Sequence, residues 1–340
     1  MLETTIDAPA GRPTAVGTGD LGDAGEAAPA GADAGRPPGS VEPFVIEPST
    51  FGSAPWWERG WWRLAPGGAA RDVACDAGTL GTLGSAAVSL RGQKHRLDAA
   101  PNDDAFSLRA GTGPDGAEWV IGCVCDGVGS AARASEGARF VAERFANALA
   151  DLCATAQWSG GAPDRPTLDR AADEVRQELV RHFDIPRSDL ATFETTLTFV
   201  AVEATVTGPR RALLGWTGDS PALILRDGSW HDATGAADEA GAGPASTRTA
   251  GFLTHGSLEG AITLELEADD VVMLCSDGVG AFVTDGNVDR QLGSTLATVL
   301  DRPVEVLHLL NLMSFDMRSA DDDRTALLVW QDCGPDAVAG

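Results

Sequence analysis

Basic residues are scarce in this chain. Its 25 Lys and Arg stand against 50 Asp and Glu, a formal net charge of −25 over 340 residues. Such a chain is repelled by phosphate backbones and anionic headgroups, which argues against a general nucleic-acid binder or an anionic-membrane binder. No apolar run is long enough to span a bilayer. The opening Met1-Leu2-Glu3-Thr4-Thr5-Ile6-Asp7 has neither a basic n-region nor an apolar h-region, so no secretory signal is visible. The six cysteines include no C-x-x-C pair. Cys123, Cys125 and Cys275 lie in apolar strand patterns and read as reduced core thiols; Cys123 and Cys125 would share one strand face, but a zinc site needs more ligands than these two. No internal repeat is visible. The chain reads as cytosolic, with enough length to bury a large core in one or two domains.

What is present changes sharply along the chain. Residues 1–43 are an Ala/Gly/Pro-rich tail, with 22 such residues in the first 40. A segment with so few large apolar residues cannot bury enough surface to offset its ordering entropy, and disorder is expected. Residues 44–71 form an arm that holds Phe44, Phe51, Trp56, Trp57, Trp61, Trp62 and Leu64. Its indoles either pack onto the globular domain or dock a partner. A globular pattern begins near residue 72 and is taken as one domain, 72–332, followed by a short tail, 333–340.

Within that domain the periodicity predicts strands at 86–90, 105–108, 119–125, 195–202, 211–216, 222–225, 261–266, 271–275 and 326–330. Helices are expected over 131–153, with Ser130 or Ser135 as cap, over 168–183, and in segments of 286–318 with Pro303 near a first turn. Residues 91–96 read as a polar basic loop and 231–246 as a flexible one. The strands come in hairpin-like series, which points to an α+β fold of antiparallel sheets covered by helices.

The chemistry gathers around Cys123-Val124-Cys125-Asp126-Gly127-Val128-Gly129. An apolar strand ends at an acid, and a Gly-x-Gly turn brings backbone carbonyls close to whatever that acid binds. Carboxylate plus carbonyl is a hard-oxygen site suited to Mg²⁺ or Mn²⁺; a turn acid that bonds only the turn amides fits the same residues. Asp104, Asp277 and Asp322 also stand at the edges of apolar strands. Carboxylates that crowd together need cations to neutralise them, so convergence of the four would imply a two-metal site.

The motifs follow one another as Asn-Asp-Asp-Ala at 102–105, Asp-Gly-Val-Gly at 126–129, Thr-Thr-Leu at 195–197, Gly-Asp-Ser at 218–220, Ser-Asp-Gly at 276–278 and Asp-Asp-Arg-Thr at 322–325. In this order they resemble the metal-dependent protein phosphatases of the 2C (PPM) type over residues 80–331. Gly92-x-x-His95 before the first acidic motif is most similar to a bacterial branch. The resemblance implies two packed antiparallel sheets flanked by helices, with two Mn²⁺ or Mg²⁺ ions in a cleft at the sheet ends. It implies that Asp126 bridges the ions, that the Gly127 carbonyl binds one, and that Asp277 and Asp322 hold the other. Asp104 would bind the second ion directly or through water, with Asp103 beside it, and Asp189 matches an acid that helps hold a third. The implied reaction is hydrolysis of phosphoserine or phosphothreonine by a metal-activated water, on a phosphoprotein substrate, with a Ser/Thr kinase or its targets as partners.

Three positions depart from that family's pattern. Val128 stands where many eukaryotic members have His. Asp103 is one methylene shorter than the usual Glu, and Ala99 replaces a phosphate-binding Arg. His95 and Arg96 are therefore the candidates for proton donation and phosphate binding. A rival reading from another class is a weakly active or inactive member that binds phosphoproteins as a regulator.

Overall fold

Central strands buried on both faces build this molecule from two sheets. The computed structural model describes residues 72–155, 163–204, 208–235, 251–284, 290–299, 305–315 and 320–331. All of these belong to one compact unit, Ile46–Gly340. The tail 1–43, the arm 44–71, Pro303 and the tail 333–340 lie outside the described residues.

The first sheet holds β1 (Val73–Leu80), β2 (Leu83–Leu90), β7 (Ala222–Arg226), β8 (Ser229–Asp232), β10 (Val271–Cys275) and β11 (Arg324–Gln331), in the order β1-β2-β11-β10-β7-β8. The second holds β3 (Ala105–Thr112), β4 (Glu118–Cys125), β5 (Leu197–Glu203), β6 (Arg210–Thr217) and β9 (Gly260–Leu266), in the order β3-β4-β5-β6-β9. Every pairing is antiparallel. The helices are α1 (Gln93–Asp98), α2 (Ala134–Cys153), α3 (Arg165–Phe183), α4 (Phe252–His255), α5 (Asp277–Thr284), α6 (Arg290–Val299) and α7 (Val306–Met313).

Successive strand residues face opposite ways, and the core divides accordingly. Val120 and Val124 of β4 meet Leu274 of β10 and Leu327 of β11 between the sheets. Ile121, Cys123 and Cys125 face outward into a cluster with Val141, Phe145 and Leu149 of α2. On the other side Met273, Cys275 and Leu328 pack with Leu296 of α6 and Leu309 of α7. The result is a helix–sheet–sheet–helix stack, the α+β arrangement expected from the strand series. Gly122 lets the sheets close, because a Cβ there would sit 2.7 Å from Leu327 Cδ2. The described cysteines are free, and Cys123, Cys125 and Cys275 are buried.

Several local expectations are corrected. Residues 93–98 are helical rather than a loop, and Ala99 ends the turn at φ 57°. Tertiary bonds hold this short helix: Lys94 N–H donates to the Asp321 carbonyl at 2.9 Å. Neither Ser130 nor Ser135 caps α2, whose N-cap is Arg133 with no side-chain cap bond. Instead the Ser135 backbone N–H bonds to the Asp103 carboxylate. Strands β1 and β8 were not expected; β1 is mostly exposed and shows no alternation of apolar and polar residues. The α3 helix starts three residues earlier than the apolar period suggests, capped by Asp164, which accepts from Thr167 N–H at 3.0 Å.

Candidate metal centre

The acids reach one cleft because both sheets deliver them from strand ends. Asp126 follows β4, Asp277 follows β10 and opens α5, and Asp322 precedes β11. Asp126 is fixed through its backbone. Its N–H donates to Thr196 Oγ1 at 2.9 Å, and its carbonyl accepts from Thr195 Oγ1 at 2.8 Å and from Thr196 N–H at 2.7 Å. The Thr-Thr pair is therefore a clamp on the central acid. Gly127 allows a close crossing: its N–H donates to the Asp103 carbonyl at 3.1 Å, and a Cβ would lie 2.7 Å from that oxygen.

The cleft encloses about 140 Å³. Asp103, Asp126, Asp219, Asp277, Asp322 and Asp323 line it, with the Gly127 backbone, Thr196 and Val128. Lys94 and His95 of α1 complete the wall. The electrostatics are those of crowded acids. The Asp126 carboxyl is pushed well up by burial, then by Asp104, Asp277, Asp219 and Asp322. Desolvation, Asp219 and Asp322 push Asp277 up to about 6, and it shares a hydrogen bond with Asp126. Burial likewise raises Asp103 to about 6, with His95 opposing. Each carboxylate raises the charging cost of its neighbours, which divalent cations would relieve. Oxygen donors of this number and hardness fit Mg²⁺ or Mn²⁺.

Asp323 is the residue that sequence reasoning missed. Its carboxylate is buried and accepts from Gly92 N–H at 2.5 Å, Asp103 N–H at 2.6 Å and His95 Nδ1 at 2.8 Å. One carboxylate thus ties α1, the Asn102–Asp104 segment and the start of β11 together. Ligand atoms of His95, Asp322 and Asp323 lie within 4.8 Å of one another. The His95 ring is pushed up to about 9, first by its bond to Asp323, and also by the charges of Asp323, Asp103 and Asp322. His95 Nε2 lies 3.9 Å from Asp103 Oδ2. Asp219 was also missed as a cleft residue. Both acids stand inside quoted motifs, Gly-Asp-Ser and Asp-Asp-Arg-Thr, which is the signal that could have found them.

The remaining expected residues fall elsewhere. Asp104 sits behind Asp103, because adjacent residues of an extended segment point opposite ways. Its side chain bonds Ser276 and Thr325, burial pushes its carboxyl well up, and its Oδ2 has no hydrogen-bond partner among the described residues. Asp103, not Asp104, lines the cleft. Arg96 does not line it either; its Nε lies 4.0 Å from Asp72, which also pairs with Arg91 at 2.7 Å. Lys94 takes the place on the wall that was expected of Arg96. Asp189 lies on a 3₁₀ helix, Arg187–Phe193, where it accepts from Ser188 Oγ at 3.0 Å, and it is not among the cleft residues.

A family model described as Protein phosphatase 2C matches residues 91–309. No curated protein matches. Among solved structures, PppA of Pseudomonas aeruginosa, described as a key regulatory component of T6SS, is 24% identical with a TM-score of 0.47, over 75% of this chain and 100% of that one. The catalytic domain of the serine threonine protein phosphatase PstP, in complex with two manganese ions, is 23% identical with a TM-score of 0.45, over 73% of this chain and 97% of that one. The serine/threonine phosphatase Stp1 of Staphylococcus aureus is 18% identical with a TM-score of 0.45, over 74% and 97%.

Proposed function

The chain belongs to the protein phosphatase 2C family, and from that premise we propose that it hydrolyses phosphoserine and phosphothreonine in protein substrates at the acidic cleft, with bound Mn²⁺ or Mg²⁺. The observation that carries this reading is the convergence of Asp103, Asp126, Asp277 and Asp322 in one cleft from the ends of both sheets. Asp126 and the Gly127 carbonyl would hold one ion, and Asp126, Asp277 and Asp322 the other, with Asp103 beside them. Such ions neutralise phosphoryl oxygens and acidify water to a nucleophile near neutral pH.

The chain's own residues do the rest. Asp323 orients His95 toward the cleft, with Nδ1 occupied, so Nε2 is the nitrogen available to give a proton to the leaving alkoxide. Lys94 offers an ammonium to the phosphoryl oxygens at the cleft wall, where Ala99 offers nothing. Val128 adds an apolar surface and no proton. The buried thiols of Cys123, Cys125 and Cys275 lie in the strand core, which suits direct attack by water rather than a thiol nucleophile. A third ion through Asp189 has no support from its position. Partners are phosphoproteins, and a Ser/Thr kinase or its targets are the proposed source. Among the described residues no helix is long and apolar enough to cross a membrane.

Phosphate release from a phosphothreonine peptide panel, with and without Mn²⁺, tests the reading. Metal-dependent release is expected. Peptide binding without release would favour the regulator instead; the observation on that side is that Arg96 pairs with Asp72 and position 99 is Ala.

A further inference from the structure

The Thr-Thr clamp on Asp126 is itself held, and the hold ends on a buried arginine of α3. Arg176 is 1% exposed, and a guanidinium is costly to bury unless acceptors meet it. Its acceptors are two backbone carbonyls of one short segment. Nε donates to the Phe252 carbonyl at 2.9 Å and Nη1 to the Gly256 carbonyl at 3.1 Å; Nη2 has no partner among the described residues. The guanidinium also lies over the Phe252 ring, 4.5 Å from its centre. The planar fork thus spans α4 from its first residue to the glycine that follows it. A second α3 side chain grips the same segment, since the Leu258 N–H donates to Asp169 Oδ1 at 3.0 Å.

From that segment the hydrogen bonds continue to the cleft. The Phe252 N–H donates to the Thr195 carbonyl at 2.7 Å, and the Leu253 N–H to Glu194 Oε1 at 2.7 Å. Thr195 Oγ1 in turn donates to the Asp126 carbonyl at 2.8 Å. Further along, the Glu259 carboxylate accepts from the Gly218 N–H at 2.9 Å, next to Asp219. One stretch of backbone therefore touches the supports of two cleft acids. Neither Arg176 nor Phe252, Glu259 or Thr195 lines the cleft itself. An apolar side chain of similar length at position 176 would fill the space but leave two buried carbonyls without donors.

We propose that Arg176 is a positioning residue for the metal centre: it fixes Phe252 and Leu253, whose amides hold Glu194 and Thr195 and so keep Asp126 in the geometry that binds the ion. The proposal rests on the reading of the cleft as a metal site. Removing a partner directly behind a metal ligand commonly weakens metal binding about 10–100-fold. Arg176 stands two hydrogen bonds further back, behind Phe252 and Thr195, which places its effect at the low end of that range. The coupling runs both ways. An ion whose affinity depends on this segment must stabilise the segment by the same factor. A clamp with a purely structural role would lower Tm and leave the affinity of the folded protein alone.

The experiment is a Mn²⁺ titration of the full chain, stripped beforehand with chelator and read by the paramagnetic resonance signal of the free ion. Arg176→Lys keeps the charge but not the fork and should weaken Mn²⁺ binding about tenfold. Arg176→Ala should weaken it at least as much, and added ethylguanidinium should restore it. Leu296→Ala, a core truncation in α6, should lower Tm without moving the Mn²⁺ affinity. Thr195→Val should also weaken binding, and its effect combined with Arg176→Lys should be far less than additive, because both act through one contact. Unchanged Mn²⁺ affinity in both Arg176 variants, or additive effects in the double variant, overturns the proposal. If the Arg176 variants unfold, the wild type decides by itself. Mn²⁺ should slow amide exchange at Phe252 and Leu253 about tenfold more than in β7; equal slowing overturns the proposal. Wild type that binds Mn²⁺ but releases no phosphate refutes only the hydrolytic reading, and the affinities still decide on Arg176. Wild type that binds no Mn²⁺ overturns both.

Discussion

Replacing Asp323 by Asn tests whether one buried carboxylate organises the cleft. In the wild type its two oxygens take three donors, from Gly92, His95 and Asp103. Asparagine keeps the shape but offers one oxygen and one NH₂ group. Whichever way the amide turns, a donor meets a donor. Bonds to a charged acceptor are worth about 1.5–3 kcal/mol each and neutral ones about 0.5–1.5, so the loss over these bonds is about 2–4 kcal/mol. At about 2–4 °C per kcal/mol for a domain of this size, Tm should fall by roughly 4–16 °C. The pH dependence separates the ion pair from simple mispacking. The His95 ring is raised from 6.5 to about 9 in the fold. A base with a raised folded pKa contributes stability that is fully present below the unfolded value and is lost as pH rises through the folded value. That contribution, on the order of 3 kcal/mol, is therefore present at pH 6 and largely gone at pH 10. The assay is thermal unfolding of chelator-treated wild type and Asp323→Asn at both pH values, with His95→Gln and the double variant closing a cycle. The Tm deficit of Asp323→Asn should be clearly larger at pH 6. An equal deficit at both pH values, with no coupling to His95, would refute the ion pair as the organising contact.

Three further outcomes are expected. Asp126→Asn should abolish Mn²⁺-dependent phosphate release while the chain stays folded by circular dichroism; wild-type turnover that survives excess chelator would contradict the two-metal reading. Lys94→Ala should mainly raise KM for a phosphopeptide, whereas Arg96→Ala should leave KM within about twofold and lower Tm, because Lys94 lines the cleft and Arg96 sits beside Asp72. Metal-free protein should lose stability between about pH 4 and pH 7. Asp103 and Asp277 are raised from 3.8 to about 6, and acids with raised folded pKa values stabilise only while protonated. Added Mn²⁺ should raise Tm more at pH 7.5 than at pH 5; an equal shift at both would show that these carboxylates do not hold the ion.

The strand series and the acids Asp126, Asp277 and Asp322 were legible without the tertiary structure. Short apolar runs ending in Asp126, Asp277 or beginning after Asp322 are local signals, because burial on both faces of a central strand leaves no alternation to misread. The same signal failed for β1, which is mostly exposed at a sheet edge and has no buried face to enforce a pattern. Contacts between distant segments decided the rest. Which of Asp103 and Asp104 faces the cleft depends on Ser276 and Thr325, which draw Asp104 behind the wall. Residues 91–96 look like a basic loop until Asp321 and Asp323, more than two hundred residues away, hold them as a helical turn and aim His95 and Lys94 inward while Arg96 turns to Asp72. Side-chain identity announces a carboxylate or an ammonium; its direction is set by the partners that folding brings to it, and those partners lie on other strands.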